Sequence, residues 1–344
     1  MIRFNCDYSE GAHPRILKML TETNFEQTTG YGEDPHCTRA RELILRECGN
    51  PDADLYFLVG GTQTNLTVIA SALRPYQGVL SAVSGHINVH ESGAIEATGH
   101  KVLALASEDG KITAEQVEKA YRLHHEDETR IHMVQPKMVY ISHPTEVGTI
   151  YTKAELSALY DVCRKRDLYL FIDGARMGYG LTAPGTDLTL KDISKLCDVF
   201  YIGGTKVGAL FGEALIILNS QLKTDFPYMI KQRGGLLAKG RLLGIQFETL
   251  FEDGLYYELG THANKTAQII KKACEDKGLA FLCQSPTNQQ FPIMPNSMLA
   301  QLSKKYSYAD MGRIDEDHTA VRFCTSWATP IEDAEQLAKD IASL

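Results

Sequence analysis

The sequence predicts an α/β protein: a large part built on a mainly parallel seven-stranded sheet with helices on both faces, followed by a smaller C-terminal α/β part. Three observations predict it. Short apolar runs alternate with helix-like segments over the first two thirds of the chain, two of those runs lead into isolated opposite charges, and the texture changes after about residue 230.

The apolar runs are Leu55 to Val59, Val79 to Val83, Lys101 to Leu105, Met138 to Ser142, Tyr169 to Ile172, Val199 to Ile202 and Ala214 to Leu218. They are near-continuous rather than alternating, as strands buried on both faces must be. Between two of them, Thr152 to Arg166 has a Thr152/Glu155 capping box and apolar Leu156, Leu159, Tyr160 and Cys163 at helical spacing, which predicts a crossover helix. Beyond Arg233-Gly234-Gly235 a long helical stretch from Leu242 to Lys277 is expected to break at Gly254 and Gly260. The chain closes with a strand over Ala320 to Thr325 and a helix opened by Thr329-Pro330-Ile331-Glu332, with Thr329 as N-cap and Pro330 at the first helical position. The expected division is an N-terminal segment 1–18, a large domain 19–232 and a small domain 233–344.

Composition restricts the function classes. With 43 acidic against 35 basic side chains the net charge is −8, so no basic footprint for nucleic acid or anionic membrane is present, and small-molecule work is expected. The 8 cysteines are scattered, without zinc-finger spacing, which predicts reduced thiols, a cytoplasmic setting and no metal site. No apolar run approaches the length of a bilayer span.

The chemistry is expected where the strands end. Asp173 closes the run Leu168 to Ile172, and Lys206 follows the run Val199 to Ile202 in Gly203-Gly204-Thr205-Lys206. That puts an acid and an amine on one rim of a parallel sheet, where open α/β folds bind ligands. An amine for a Schiff base opposite a carboxylate for a pyridinium nitrogen is the pair that pyridoxal phosphate requires. The lysine must lose its proton, against a reference pKa of about 10.4, so it needs burial and nearby cations. Taken singly, Asp173 could be a helix N-cap and Lys206 a solvated loop residue.

Gly60-Gly61-Thr62-Gln63-Thr64-Asn65 lies between a strand and an apolar helix, a place where backbone N–H groups close around phosphate. Neither the dinucleotide fingerprint nor the Walker pattern is present, so the nucleotide readings lack their motif. A non-catalytic binder of a phosphate ligand remains an alternative.

Asp173-Gly174-Ala175-Arg176, Gly61 to Asn65, Tyr31-Gly32-Glu33-Asp34-Pro35, His86 with Glu91 downstream, and Thr205-Lys206 together resemble the low-specificity L-threonine aldolases, within the β-eliminating-lyase group of fold-type-I enzymes. The resemblance runs from about Asp7 to the final helix and implies an aspartate-aminotransferase-like fold. It implies that Lys206 carries pyridoxal phosphate, Asp173 pairs with its ring nitrogen, Gly60, Gly61 and Thr62 bind its phosphate, and His86 stacks on its ring. Arg322 would bind the substrate carboxylate with Arg176 assisting, and Arg176 could also reach cofactor oxygens. It implies a homotetramer, a dimer of dimers with shared active sites, in which Tyr31 comes from the neighbour and Arg233 or Lys239 reaches a phosphate across the interface.

Two positions depart from the family pattern. Pro144-Thr145-Glu146-Val147-Gly148 stands where Asn-Thr-His-x-Gly is usual, which puts Glu146 in place of a histidine, and Cys6 stands where a substrate-contacting serine is common. The implied activity is cleavage of a β-hydroxy-α-amino acid such as threonine or allo-threonine to glycine and an aldehyde, the hydroxyl proton passing to His86, Glu146 or a water they hold. Another pyridoxal-phosphate reaction on this fold, β-elimination, transamination or racemisation, is the nearest alternative.

Overall fold

The computed structural model describes all 344 residues. Its strands are β1 (Ile2–Phe4), β2 (Asp54–Leu58), β3 (Gln77–Ala82), β4 (Lys101–Leu105), β5 (Gln135–Ser142), β6 (Tyr169–Asp173), β7 (Val199–Gly203), β8 (Glu213–Ile217), β9 (Gln289–Gln290), β10 (Ile293–Pro295), β11 (Tyr306–Arg313) and β12 (His318–Cys324). Strands β2 to β8 make one seven-stranded sheet in the order β2-β8-β7-β6-β5-β3-β4. Five of them, β3 to β7, run parallel, β8 is antiparallel to both β7 and β2, and β2 therefore points the same way as the parallel set.

Both faces of this sheet are buried, which is why its strands are apolar throughout. Val139, Ile141, Leu170, Ile172, Phe200, Ile202 and Ile216 enter one core. Their neighbours Met138, Tyr140, Phe171, Val199, Tyr201, Leu215 and Ile217 enter the other. The predicted capping box at Thr152 and Glu155 starts the helix Lys153–Lys165, which crosses between β5 and β6.

A second sheet is formed by β1, β11, β12, β10 and β9 over a third core containing Phe4, Met294, Phe323, Leu337 and Ile341. Within it β1 pairs in parallel with Tyr306 to Tyr308, so the first residues, expected as a separate segment, join the C-terminal sheet. Two local expectations change. The chain breaks at Asp253 and Gly254, both in the left-handed region, but Gly260 lies inside the helix Leu255–Asp276. A Cβ there would sit 2.4 Å from the Gly178 carbonyl oxygen, so this glycine serves a close helix crossing and not a break. The last helix starts at Ile331 with Pro330 as N-cap, because the Thr329 hydroxyl accepts from the Ser326 N–H instead of capping.

Candidate active site

Six strands, β2 to β7, point the same way and deliver their C-terminal ends to one rim, and β8 starts from that rim. One cavity there is lined by Val59, Gly60, Gly61 and Thr62 after β2, His86 after β3, Ser142, Pro144 and Glu146 at the end of β5, Asp173, Ala175 and Arg176 at the end of β6, and Tyr201, Thr205, Lys206 and Glu213 from β7 and β8. Lys206 and Asp173, expected to face one another across a ligand, share this cavity. Gly174 permits the close approach of the two loops: a Cβ on it would fall 2.0 Å from the Tyr201 carbonyl oxygen.

The lysine loop is fixed from behind. The Tyr179 hydroxyl donates to the Lys206 carbonyl, and the Tyr256 hydroxyl donates to the Gly203 carbonyl at 2.9 Å while accepting from the Gly178 N–H at 3.0 Å. Burial, with the Arg176 guanidinium next in importance, holds the Lys206 amine below its ordinary pKa, the direction needed for a nucleophile.

Asp173 is 4% exposed and accepts three hydrogen bonds, short of the about four that a carboxylate can take. Its Oδ2 accepts from the Tyr140 hydroxyl and from Asn65 Nδ2 at 3.2 Å, and its Oδ1 accepts from the Ala175 N–H at 2.9 Å. Burial alone would raise its pKa, but the His86 imidazole and these donors hold it below the ordinary value, so it stays a carboxylate. Asn65 links this acid to Glu91 at 2.7 Å, and Glu91 accepts from His86 Nδ1 at 2.7 Å. With Nδ1 held, His86 keeps Nε2 free as its second functional nitrogen.

Glu146 also belongs to the cavity. Its Oε1 accepts from the His86 backbone N–H at 2.8 Å and from the Ser142 hydroxyl at 2.6 Å. Burial outweighs these bonds and pushes its carboxyl above the ordinary value, the direction that makes a carboxylate a better proton acceptor.

The glycine turn matches the form of an anion cradle. Helix Gly61–Ala72 begins at Gly60 with no side-chain cap, leaving its first N–H groups without intrahelical partners. A Cβ on Gly60 would meet no atom within 4 Å, so the space in front of the helix is open. An amine, an opposed carboxylate and an uncapped helix start around one cavity fit pyridoxal phosphate as a donor set.

Arg176 is partly committed within the chain. Its Nε and Nη2 each donate one N–H to Asp7, at 2.7 and 3.0 Å, the aspartate having no exposed side-chain area, which leaves Nη1 and the second N–H of Nη2 for a ligand. Cys6, Tyr31, Arg233 and Arg322 do not line the cavity of this chain. Tyr31 lines another cavity with Arg41, Tyr56 and Ile230 and lies under the Lys231 ammonium. Arg233 is joined to the cradle through its carbonyl, which accepts from Gln63 Nε2 at 3.1 Å, and its buried Nε has no partner. Arg322 donates from Nη2 to the Asn5 carbonyl at 2.8 Å and from Nη1 to Gln289 at 3.2 Å, leaving Nε buried and unpartnered. Cys6 lies between Asn5 and Asp7, the residues held by the two arginines, and its thiol contacts Ser9 at 3.2 Å.

Asp7, Tyr140, Ser142, Thr205 and Glu213 were not among the candidates. Ser142 could have been found by asking which polar residues terminate the other strands of the same rim, whereas Glu213 begins its strand and escapes that question. Asp7 carried no such signal, because its partner is 169 residues away. The Asp7 pKa is lowered to about 2, since Arg176, Lys206 and Asn288 together outweigh burial. A carboxylate with a depressed folded pKa contributes stability that is present above its unfolded value of about 3.9 and is lost as pH falls toward 2. Asp7→Asn is expected to cost about 3–5 kcal/mol, because it leaves a buried guanidinium unpaired. Chemical denaturation at pH 7 and pH 3 checks this: the deficit should shrink at the lower pH, and equal deficits would refute the pairing.

A family model described as beta-eliminating lyase matches residues 12–297. A low specificity L-threonine aldolase of Pseudomonas aeruginosa is 30% identical, over 98% of this chain and 96% of its own. Another from a Pseudomonas species is 31% identical over 99% and 97%. Among solved structures, a threonine aldolase of Leishmania major matches with TM-score 0.97 and 47% identity over 100% of this chain and 99% of its own. An aspartate aminotransferase of Thermus thermophilus matches at TM-score 0.73 with 14% identity over 100% and 91%, a likeness of fold.

Proposed function

This chain belongs to the beta-eliminating lyase family, and from that premise we propose that it is a pyridoxal-phosphate-dependent aldolase, cleaving L-threonine and L-allo-threonine to glycine and acetaldehyde. The observation that carries the reading is the shared cavity of Lys206 and Asp173 beside an uncapped helix start. When bound, pyridoxal phosphate supplies an aldehyde for an amine and a ring that accepts the electron pair left by a broken Cα bond.

The chain's own residues supply the rest. Lys206 would anchor the cofactor by its amine, and Asp173 would keep a proton on its ring nitrogen. Gly60, Gly61 and Thr62 would hold its phosphate with backbone N–H groups and a hydroxyl. His86, its orientation fixed by Glu91, would cover the ring. Arg322, through its unpartnered Nε, and Arg176, through Nη1, bind the substrate carboxylate, and Cys6 lies between them. Clamping the carboxylate would fix the substrate's orientation, and so which of its Cα bonds the bound cofactor could activate. Glu146 takes the proton of the β-hydroxyl, with His86 as its partner across the same cavity, and the oxygen becomes that of the aldehyde.

Incubation with L-threonine tests the reaction: equimolar glycine and acetaldehyde are expected, and pyruvate with ammonia would replace the aldolase by β-elimination. Borohydride reduction followed by peptide mapping tests the anchor. Glu146→Gln is expected to lower kcat by about 10²-fold or more. Because burial raises the Glu146 pKa and the ionised form is the base, the acid limb of the wild-type profile should rise with pH and flatten in the variant. Full activity in both Glu146→Gln and His86→Asn would remove these side chains from the proton transfer.

Tyr31 and Arg233 lie outside the cavity that holds Lys206, and their expected work requires a second copy. We take the enzyme as a homotetramer of two dimers, with Tyr31 and Arg233 reaching the neighbour's site. Light scattering and complementation between Lys206→Ala and Tyr31→Phe chains test it. No helix is long and apolar enough to cross a membrane. All 8 cysteines are free, and this supports a cytoplasmic reading.

A further inference from the structure

The cavity contains a carboxylate that the reaction above does not use. Glu213 opens β8 opposite Gly203 of β7 and Leu58 of β2, so it stands on the same rim as Lys206 and is 3% exposed. Its Oε1 accepts from the Thr205 hydroxyl at 3.0 Å. That hydroxyl in turn accepts from the Gly212 N–H at 3.0 Å, and Glu213 is a nearer acceptor for its proton than the Gly212 carbonyl at 3.5 Å. Oε2 is buried and has no partner at all.

A buried carboxylate oxygen without a donor is costly unless a cation or a proton serves it. The charges around the cavity narrow the choice. Of the acids that act on the Lys206 amine, Asp7 is paired with Arg176 and Asp173 has three donors of its own, so Glu213 is the one with an unserved oxygen. We propose that Glu213 is a positioning residue whose carboxylate, lining the same cavity as Lys206 without touching it, sets the pH range over which the Lys206 nitrogen takes up or releases a proton.

The groups facing the pair come from every element packed on it. Arg176, Asp7 and Asp173 face Lys206. Thr205, Asp173, Tyr201 and Tyr256 face Glu213. Burial pushes Glu213 up to about 8 and holds Lys206 down, so the charge state of each depends on that of the other. The field that the Lys206 nitrogen meets as it gains and loses a proton is thus set within the protein.

The proposal rests on Lys206 being the cofactor-bearing lysine, and its test separates the two. Glu213→Gln keeps the volume and the acceptor for Thr205 but removes the charge. In the holoenzyme the visible absorption reports whether the lysine-linked nitrogen is protonated, and it is followed from pH 5 to 10. An ionised Glu213 favours the protonated nitrogen, so the midpoint in the variant is expected to fall by about one pH unit or more. A titration superimposable on that of the wild type overturns the proposal. Thr205→Val removes the donor that favours ionised Glu213 and should lower the midpoint in the same direction by less. If Glu213→Gln does not retain cofactor, an unmoved midpoint in Thr205→Val overturns it equally. A borohydride adduct on another lysine would defeat the functional reading, whereas an adduct on Lys206 with an unmoved midpoint defeats this inference alone.

Discussion

Lys206→Ala is expected to lose threonine cleavage by about 10³-fold or more, together with the yellow colour of the purified protein and the pyridoxyl adduct formed by borohydride. The loss should be chemical and not structural. The loop is held by its backbone, through the Tyr179 hydroxyl on the Lys206 carbonyl and the Tyr256 hydroxyl on the Gly203 carbonyl, and none of these contacts uses the lysine side chain. Removing the buried amine relieves its repulsion by Arg176 and forgoes its attraction to Asp7, Asp173 and Glu213, opposing effects. The unfolding midpoint of the cofactor-free variant is therefore expected to stay near that of the cofactor-free wild type. Lys206→Arg, which keeps the charge and cannot form an imine, should be as inactive as the alanine variant. A variant that still cleaves threonine at the wild-type rate would remove Lys206 from the chemistry, and with it the central assignment.

The reach of the sequence follows from the range of the interactions involved. The strand ends were legible because buried parallel strands are continuous apolar runs, so the isolated Asp173 and Lys206 at their margins stood out. The capping box at Thr152 and Glu155 was legible because both of its hydrogen bonds close within four residues. Gly260 misled because its neighbour is the Gly178 carbonyl in another helix, and a crossing glycine looks like a breaking one in the chain alone. The pairing of β1 with β11 joins residues some three hundred positions apart, and the short apolar start of the chain gives no hint of its partner. Among site residues, Glu213 was hidden because it begins a strand instead of ending one, so it followed a loop in sequence while sharing the rim in space. Arg176 was legible as a site residue, but its commitment to Asp7 was not, since a bidentate pair depends on where the N-terminal segment folds back.

Asp173→Asn is expected to lower kcat by about 10²–10³-fold while leaving the cofactor attached to Lys206. The task proposed for the carboxylate is to keep a proton on the ring nitrogen of bound pyridoxal phosphate, a protonation that would make the ring a stronger acceptor of an electron pair. The neutral amide can at best donate to or accept from that nitrogen without stabilising a charge there. The neighbours make the substitution harsher than its size suggests. Asn65 Nδ2, the Tyr140 hydroxyl and the Ala175 N–H all donate to Asp173, so an amide NH₂ at this position must face at least one donor with a donor. The Asn65 side chain then has a reason to shift, and with it Glu91 and the His86 ring that Glu91 holds. Two effects can therefore be separated. Asn65→Ala should reproduce only the part that passes through Glu91 and His86, a smaller loss of kcat with the charge of Asp173 retained. A double variant in which the two losses fail to add would measure that coupling directly. Wild-type kcat in Asp173→Asn would show that ring protonation is supplied from elsewhere and would remove the acid from its assigned place opposite Lys206.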